Sequence, residues 1–452
     1  MTDTTLWFAH ALLDDGWARD VRLELHGGRI ADLAVGVPSR PVDERHAIGL
    51  PGLPNLHSHA FQRAMAGLTE VRGPEGDSFW TWRDLMYRFV DRLGPDQVEA
   101  IAALAFAEML ESGFTRVGEF HYLHHAPGGA PFADPAEMAV RIAAAASDTG
   151  IGLTLLPVFY AHSGFGGAPP TEGQRRFVST PDSYARLLEG ARAAVAGLDG
   201  ARVGVAPHSL RAVTEAELAR IIANAGGPIH IHIAEQVREV EDCVVWSGAR
   251  PVQWLLDRFE VDGRWCLVHA THMIPDETAR LAVSGAVAGL CPITEANLGD
   301  GLFPAPEFLG AGGAFGIGSD SNVRIDAAEE LRTLEYGQRL ARQARNVLAS
   351  QVGQSTGAEL FRCALGGGAQ ALGGDSGLGI GASADIVSLR DDHSDLAGRD
   401  GDAWIDSWVF AGGSRAVDCV WRFGRKVVAH GQHHARSRIV ARYRAAIEGL
   451  LA

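Results

Sequence analysis

Lysine is almost missing from this chain of 452 residues: Lys426 stands alone, and arginine supplies every other basic side chain. Mechanisms that need an active-site lysine are nearly excluded, among them a Schiff base, a phosphate-gripping P-loop and a carboxylated lysine bridging two metals. Lys426 lies in the late strand-like stretch "WRFGRKVVAHG" and reads as a solvated side chain. Cysteine is scarce too. Cys243, Cys266, Cys291, Cys363 and Cys419 are odd in number, far apart and without a C-x-x-C pair, which suits reduced core thiols better than disulfides or a thiolate zinc site. Positive charge is in deficit, with a formal net charge of −15 at pH 7, which speaks against a nucleic-acid surface or a polybasic membrane patch. No apolar run is long enough to span a bilayer, and the opening "MTDTTLWFAHALLDDGWARD" lacks the basic-then-apolar order of a secretion signal. The expectation is a cytoplasmic protein with neither nucleic acid nor membrane as a partner.

What the chain does have is apolar content, 46% of its residues, enough to bury a large core. Eight short β-rich runs stand out: "HAIGLPGLPNLHSH" near 50, "FTRVGEFHY" near 117, "IGLTLLPVFY" near 155, "ARVGVAPHS" near 205, "PIHIHIAE" near 231, "RWCLVHATH" near 268, "AVAGLCPIT" near 290 and "GAFGIGSDS" near 317. Helical patterns fall between them, starting at Pro95, Asp134, Thr180 and Thr214. The last has Thr214 followed by Glu217 as a capping box, and Gly226 as a stop. Alternating strands and helices predict an α/β protein built on a (β/α)8 TIM barrel. The flanks lack this rhythm and read as short strands with turns. Residues 1–50 and 375–452 are expected to form a small β-sandwich domain, with the barrel catalytic domain at 51–374. The glycine-rich stretch from Cys363 reads as the return linker, since no lysine follows it to make a phosphate cradle.

In such a barrel the catalytic groups gather at the C-terminal ends of the strands. Those ends carry His57 and His59, then Glu119, His121 and Tyr122, then Tyr160 and His162, then His208, then His232 and Glu235, then His269 and His272, and finally Asp320. Side chains alternate along a strand, so His57 and His59 point the same way and can grip one ion. A third imidazole from His232 and a carboxylate from Asp320 would complete a site suited to one divalent metal, zinc first and iron second, with a water position left open. His230 is the rival in "HIHIAEQ", but Glu235 favours His232 as the residue at the mouth.

The ordered set "NLHSHAF", "HIHIAEQ", "LVHATH" and "GIGSDSN" resembles the amidohydrolase superfamily, in particular its adenosine-deaminase-like branch of metal-dependent deaminases. "GASADIVSL" and "VWRFGRKVVAHG" are similar to the closing β-domain segments of those enzymes. Members of that superfamily with two metals usually bridge them with a carboxylated lysine, so with no lysine in the barrel one metal per chain is expected, a glutamate or cysteine bridge between two being the alternative. The resemblance implies that Asp320 and His269 orient and deprotonate a water acidified by the metal, and that Glu235 carries the proton to a departing nitrogen. It also implies a homodimer.

Two arginines stand out against the acidic background, Arg83 in "SFWTWRDLMYRF" and Arg211 in "APHSLRAV". Guanidinium forks grip carboxylates, so a pair near the mouth suggests a small anionic substrate. A surface salt bridge is the plainer account of either arginine alone. "PGLPNLHSHAFQRAMAGLTE", "FWTWRDLMY", "EFHYLHH" and "CPITEANLGDGLFP" together resemble the formimidoylglutamate deiminase family within that branch. By that resemblance Gln62, Arg83, Tyr122, His208 and Arg211 would hold a glutamate moiety through its two carboxylates. "NLGDG" is assigned only the shaping of the mouth, and "FWTW" reads as a packed aromatic lid or as a stacking platform for a nucleobase. The alternatives are a deaminase or chlorohydrolase of the same branch acting on a neutral ring, and a catalytically silent barrel used as a scaffold.

Overall fold

The computed structural model describes residues 4–73, 76–223 and 225–451, the side chain of Leu451 excepted. The chain begins in an end sheet with β1 (Thr4–Leu13), β2 (Gly16–His26), β3 (Arg29–Ala34) and β4 (Glu44–Pro51). It then enters a run of parallel strands: β5 (Leu53–Ser58), β6 (Phe114–His121), β7 (Gly152–Phe159), β8 (Arg202–Val203), β9 (Ala206–Pro207), β10 (Ile229–Ile233), β11 (Trp265–His269), β12 (Val287–Leu290) and β13 (Ala314–Ile317). Parallel bridges close the ring, Ser58 to Asp320 on one seam and Val205 to Ile229 and Ser209 to His232 on the other. With β8 and β9 sharing the fourth position this is the expected eight-membered barrel, and helices fill most of the crossovers.

The stretch near 50 is two strands rather than one. β4 belongs to the end sheet and β5 to the barrel, and the chain turns between them at Gly52, where a Cβ would lie 2.2 Å from the Thr115 side chain. The last strands, β14 (Ile386–Leu389), β15 (Val417–Arg422), β16 (Arg425–Ala429) and β17 (Gln432–His433), rejoin the first four in one eight-stranded sheet, ordered β17-β16-β15-β14-β4-β1-β2-β3. The sheet curls until the β2–β3 turn at Gly28 meets Phe423 of the β15–β16 turn, giving a sandwich-like body around Leu6, Phe8, Leu23, Ile386 and Trp421.

Three local expectations change. Of the glycine-rich stretch from Cys363 only 373–385 is a linker, running to β14; its first part is the second half of a helix, Thr356–Leu372, laid across β5, β12 and β13. Its glycines permit close approach: a Cβ on Gly367 would fall 2.0 Å from the Phe315 carbonyl oxygen, and one on Gly368 3.1 Å from Pro54. The C-terminal flank is not all strands and turns either, because it ends in the helix Arg436–Leu451, whose Arg436 and Arg442 pair with Glu108, Glu111 and Glu99 of the barrel helix Pro95–Glu111. Lys426 is not merely solvated: its ammonium pairs with Glu44 and lies 5.3 Å from the centre of the Trp421 ring. The Thr214 capping box forms as read, with Thr214 accepting from the Glu217 amide, but the helix stops at Ile222, before Gly226. No helix among the described residues is long and apolar enough to cross a membrane.

Candidate active site

β5 delivers His57 and His59 to the barrel mouth, where their Nε2 atoms lie 3.3 Å apart. His232, at the end of β10, brings a third Nε2 to 3.0 Å from that of His57. Asp320 follows β13 and sets Oδ1 3.2 Å from His59 Nε2 and 3.4 Å from His57 Nε2. All four donor atoms fall within 4.8 Å of one another and all four residues are buried. The backbone fixes which ring nitrogen is free: His59 Nδ1–H donates to the Phe120 carbonyl at 2.8 Å, and His232 Nδ1–H to the His208 carbonyl at 3.0 Å. Their Nε2 atoms therefore face each other as lone pairs, an arrangement that repels unless a cation lies between. Tetrahedral bonds of about 2.0–2.2 Å would separate such donors by about 3.3 Å, so the residues present fit one divalent ion.

Electrostatics agree. Burial drives the His57 imidazole down to about 3, keeping it neutral and able to donate a lone pair. Burial pushes the Asp320 carboxyl upward, but hydrogen bonding from His57 and the field of His59 outweigh it and hold Asp320 below the usual carboxylate range. The turn that carries Asp320 is strained: φ is 43° at Asp320 and 55° at Asn322. It is held by Asn55, whose side chain bonds Ser319 through both Oγ and the amide, and by Asn322, which donates to Ser58 Oγ and to the His59 carbonyl.

His269 and Glu235 stand beside this cluster. His269 Nε2 is 3.8 Å from Asp320 Oδ2 and 3.9 Å from Glu235 Oε1, while its Nδ1 donates to Glu295 at 3.2 Å. Burial lowers the His269 imidazole, but Glu235, Glu295 and Asp320 together push it up to about 10. A divalent cation in the neighbouring cluster would oppose that push. Burial lifts the Glu235 carboxyl to about 7 against the pull of His269 and Arg211, where it can both take and give a proton near neutral pH.

A cavity opens over these groups, lined among others by Gln62, Arg83, Tyr122, His208 and Arg211. All five residues singled out from sequence as substrate contacts thus face the same space as the metal cluster. Gln62 donates to the Tyr122 hydroxyl at 2.8 Å and leaves its buried Oε1 without a partner. The buried Nε atoms of Arg83 and Arg211 are also unpartnered, and Glu239 is 4.0 Å from Arg211. Trp80 of "FWTW" is no bare platform, because the guanidiniums of Arg83 and Arg211 lie 4.6 and 5.7 Å from its ring centre. Phe79 and Trp82 line the cavity.

Other strand-end residues turn elsewhere. His162 binds Glu217, His272 donates to the Asp300 carbonyl, and His121 is buried with its ring 5.8 Å from that of His124. His230 points away from the mouth and donates to the Ala371 carbonyl at 2.8 Å. The sequence reading missed Glu239 and Glu295, both buried carboxylates on helices that follow the strands. Glu239 accepts from the Ala234 and Glu235 amides, and Glu295 from the Cys291 amide and His269. Their signal was a spacing: each lies four residues beyond a strand-end residue, close enough to fold back on it.

Residues 48–427 match the family model described as "Amidohydrolase family". The chain belongs to the amidohydrolase family. Residues 4–47 of this amidohydrolase match a second model, "Formimidoylglutamate deiminase HutF, N-terminal domain". A formimidoylglutamate deiminase of Pseudomonas aeruginosa is 52% identical over 442 residues, covering 96% of this chain and 97% of its own. An 8-oxoguanine deaminase of the same species is 28% identical over 347 residues, 72% of this chain and 73% of its own. Among solved structures, an amidohydrolase from Brucella melitensis superposes with a TM-score of 0.95 at 55% identity, over 99% of this amidohydrolase and 100% of that chain. An adenosine deaminase from Xanthomonas campestris with bound zinc shares the fold, with a TM-score of 0.82 at 22% identity over 99% and 98% of the two chains.

Proposed function

We propose that this amidohydrolase hydrolyses N-formimidoyl-L-glutamate to N-formyl-L-glutamate and ammonia. The observation that carries the reading is the company Arg83 and Arg211 keep: two guanidiniums with unpartnered buried Nε atoms share one cavity with a metal cluster of three histidines and one aspartate. A dicarboxylate supplies the missing acceptors; a neutral ring leaves Arg83 without an anion and Arg211 with only Glu239 at 4.0 Å.

His57, His59, His232 and Asp320 would hold one divalent ion, zinc in the first instance, whose Lewis acidity makes water a nucleophile near neutral pH. Asp320 and His269 orient the attacking water and take its proton. The water oxygen bonds to the formimino carbon as the carbon–nitrogen π bond opens and Glu235 protonates the terminal nitrogen; a second proton, from the hydroxyl now on that carbon, passes to the same nitrogen through Glu235, and as the carbon–nitrogen single bond breaks ammonia leaves and the formyl C=O forms. Gln62, Arg83, Tyr122, His208 and Arg211 position the glutamate part, so that binding energy far from the reacting carbon fixes its place. Glu295 holds the His269 ring and Glu239 holds the Glu235 backbone. A cytoplasmic homodimer goes with this reading, and light scattering on the purified chain reads the assembly.

The direct test is ammonia release from N-formimidoyl-L-glutamate, run beside guanine and cytosine with the metal content assayed. Rapid release from the first alone, with about one ion per chain, supports the proposal. Turnover of a ring compound and none of the amidine would leave the hydrolytic site in place and overturn the substrate.

A further inference from the structure

The helix Phe79–Val90 belongs to the first strand's connection, yet its Trp80 reaches groups that follow β9 and β10 on the far wall of the barrel. Three guanidiniums surround that one indole: Arg83 at 4.6 Å from the ring centre, Arg238 at 4.9 Å and Arg211 at 5.7 Å. Three like charges so close repel one another, and the acids near them are few. Glu239 is 4.0 Å from Arg211, Asp242 is 3.7 Å from Arg238, and Arg83 has no ion pair among the described residues. Arg83 also lies 5.5 Å from the centre of the Tyr87 ring and Arg211 feels the Glu235 carboxylate, but the Trp80 ring face is the one attraction that all three guanidiniums share before a ligand arrives. Trp80 is not among the residues lining the cavity, whereas Arg83 and Arg211 are, so the indole backs the cations rather than the ligand. Exposure grades outward: the Arg211 side chain is 11% exposed and that of Arg238 66%.

We propose that Trp80 is a positioning residue that gathers Arg83, Arg211 and Arg238 into a preformed receptor for a dicarboxylate, with Arg238 its outermost cation and the first that an incoming carboxylate meets. The inference rests on the dicarboxylate reading above and adds two residues which that reading leaves without a part. Arg238 draws the anion toward the mouth through a field that salt screens, and Arg211 and Arg83 then receive it deeper in.

The test is calorimetric titration of the metal-loaded enzyme with N-formyl-L-glutamate and with N-formyl-L-glutamine, which lacks one carboxylate, for the wild type and for W80F, W80L and R238Q. W80L is expected to weaken the dicarboxylate about 10-fold and the monocarboxylate less, with W80F recovering most of the loss because a ring face remains. R238Q is expected to weaken the dicarboxylate about 3-fold at low salt and hardly at all at high salt. In turnover, W80L should raise KM about 10-fold while kcat falls by no more than about 3-fold. Wild-type affinity in W80L, or equal damage in W80L and W80F with kcat falling as far as KM rises, would overturn the role given to Trp80. An R238Q titration that matches wild type at low salt removes Arg238 from the receptor. A wild-type enzyme that binds neither ligand overturns the dicarboxylate reading itself, and one that binds without releasing ammonia overturns only the reaction.

Discussion

The two ends of the barrel treat buried charge in opposite ways. At the end away from the mouth, Arg116 donates to the Gly200 carbonyl at 3.1 Å, Arg422 donates to the Asp199 carbonyl at 2.9 Å and lies against Asp385, and His230 donates to the Ala371 carbonyl at 2.8 Å. At the mouth, neither the Arg83 nor the Arg211 guanidinium makes a hydrogen bond among the described residues, and histidine lone pairs are turned on one another. Arg422 Nε also lacks a partner, yet its Nη2 finds a carbonyl, whereas at the mouth no nitrogen of either guanidinium finds one among the described residues, which leaves acceptor sites for something else to fill. Unspent hydrogen-bonding capacity, more than the residue types, separates the functional end from the structural one.

Removing a ligand from the cluster should do the most damage. Asp320→Ala is expected to remain folded, to lose bound metal and to lower kcat at least ~10³-fold, because in the proposed mechanism the carboxylate would serve both as ligand and as proton acceptor. Thermal unfolding, metal content and ammonia release on one preparation check this, and substantial residual turnover would break the mechanism. Glu235→Gln comes next, with the metal retained and kcat lowered about 10²- to 10⁴-fold. Burial raises the Glu235 carboxyl to about 7, so the proton-donating form exists below that pH and is lost above it. Wild-type kcat should therefore fall as pH rises through about 7, a limb that the residual activity of Glu235→Gln should lack.

Much of the mouth was legible in the sequence, because the strand period and the i, i+2 rule place His57, His59, His232, Glu235 and Asp320 without knowledge of any contact. The barrel was legible for the same reason: its strands and helices repeat a local pattern. What escaped depends on proximity between distant segments. Gly367 and Gly368 look like a flexible linker until Phe315 and Pro54 press against them. Glu295 looks like an ordinary helix residue until it folds back on His269, and Lys426 looks solvated until Glu44 is beside it. Trp80 escaped because composition cannot tell a ring that stacks on a ligand from one that holds arginines.

A smaller effect is expected from the cations of the cavity. Arg211→Ala should raise KM and lower kcat/KM at least ~10-fold for the dicarboxylate, the cost of a charge-assisted bond. Arg211→Lys should recover only part of the loss, since an ammonium keeps the charge but not the planar fork. An Arg211→Ala enzyme with unchanged kinetics and a lower unfolding midpoint would return this arginine to a packing role and weaken the contrast between the two ends.

The finest test uses two residues of one strand. His230 and His232 are neighbours on β10 with the same side-chain chemistry, yet one anchors a carbonyl below and the other faces the cluster above. His230→Leu should cost about 1–3 kcal/mol of stability by leaving the Ala371 carbonyl without its donor, while bound metal and kcat remain near wild type. His232→Leu should abolish metal binding at a smaller cost in stability, because the His208 carbonyl that loses the His232 Nδ1–H keeps the His232 backbone amide at 3.0 Å. If both substitutions cost the same in metal and in stability, the strand would not divide a structural end from a functional one, and the unpartnered groups at the mouth would lose their meaning as a sign of ligand.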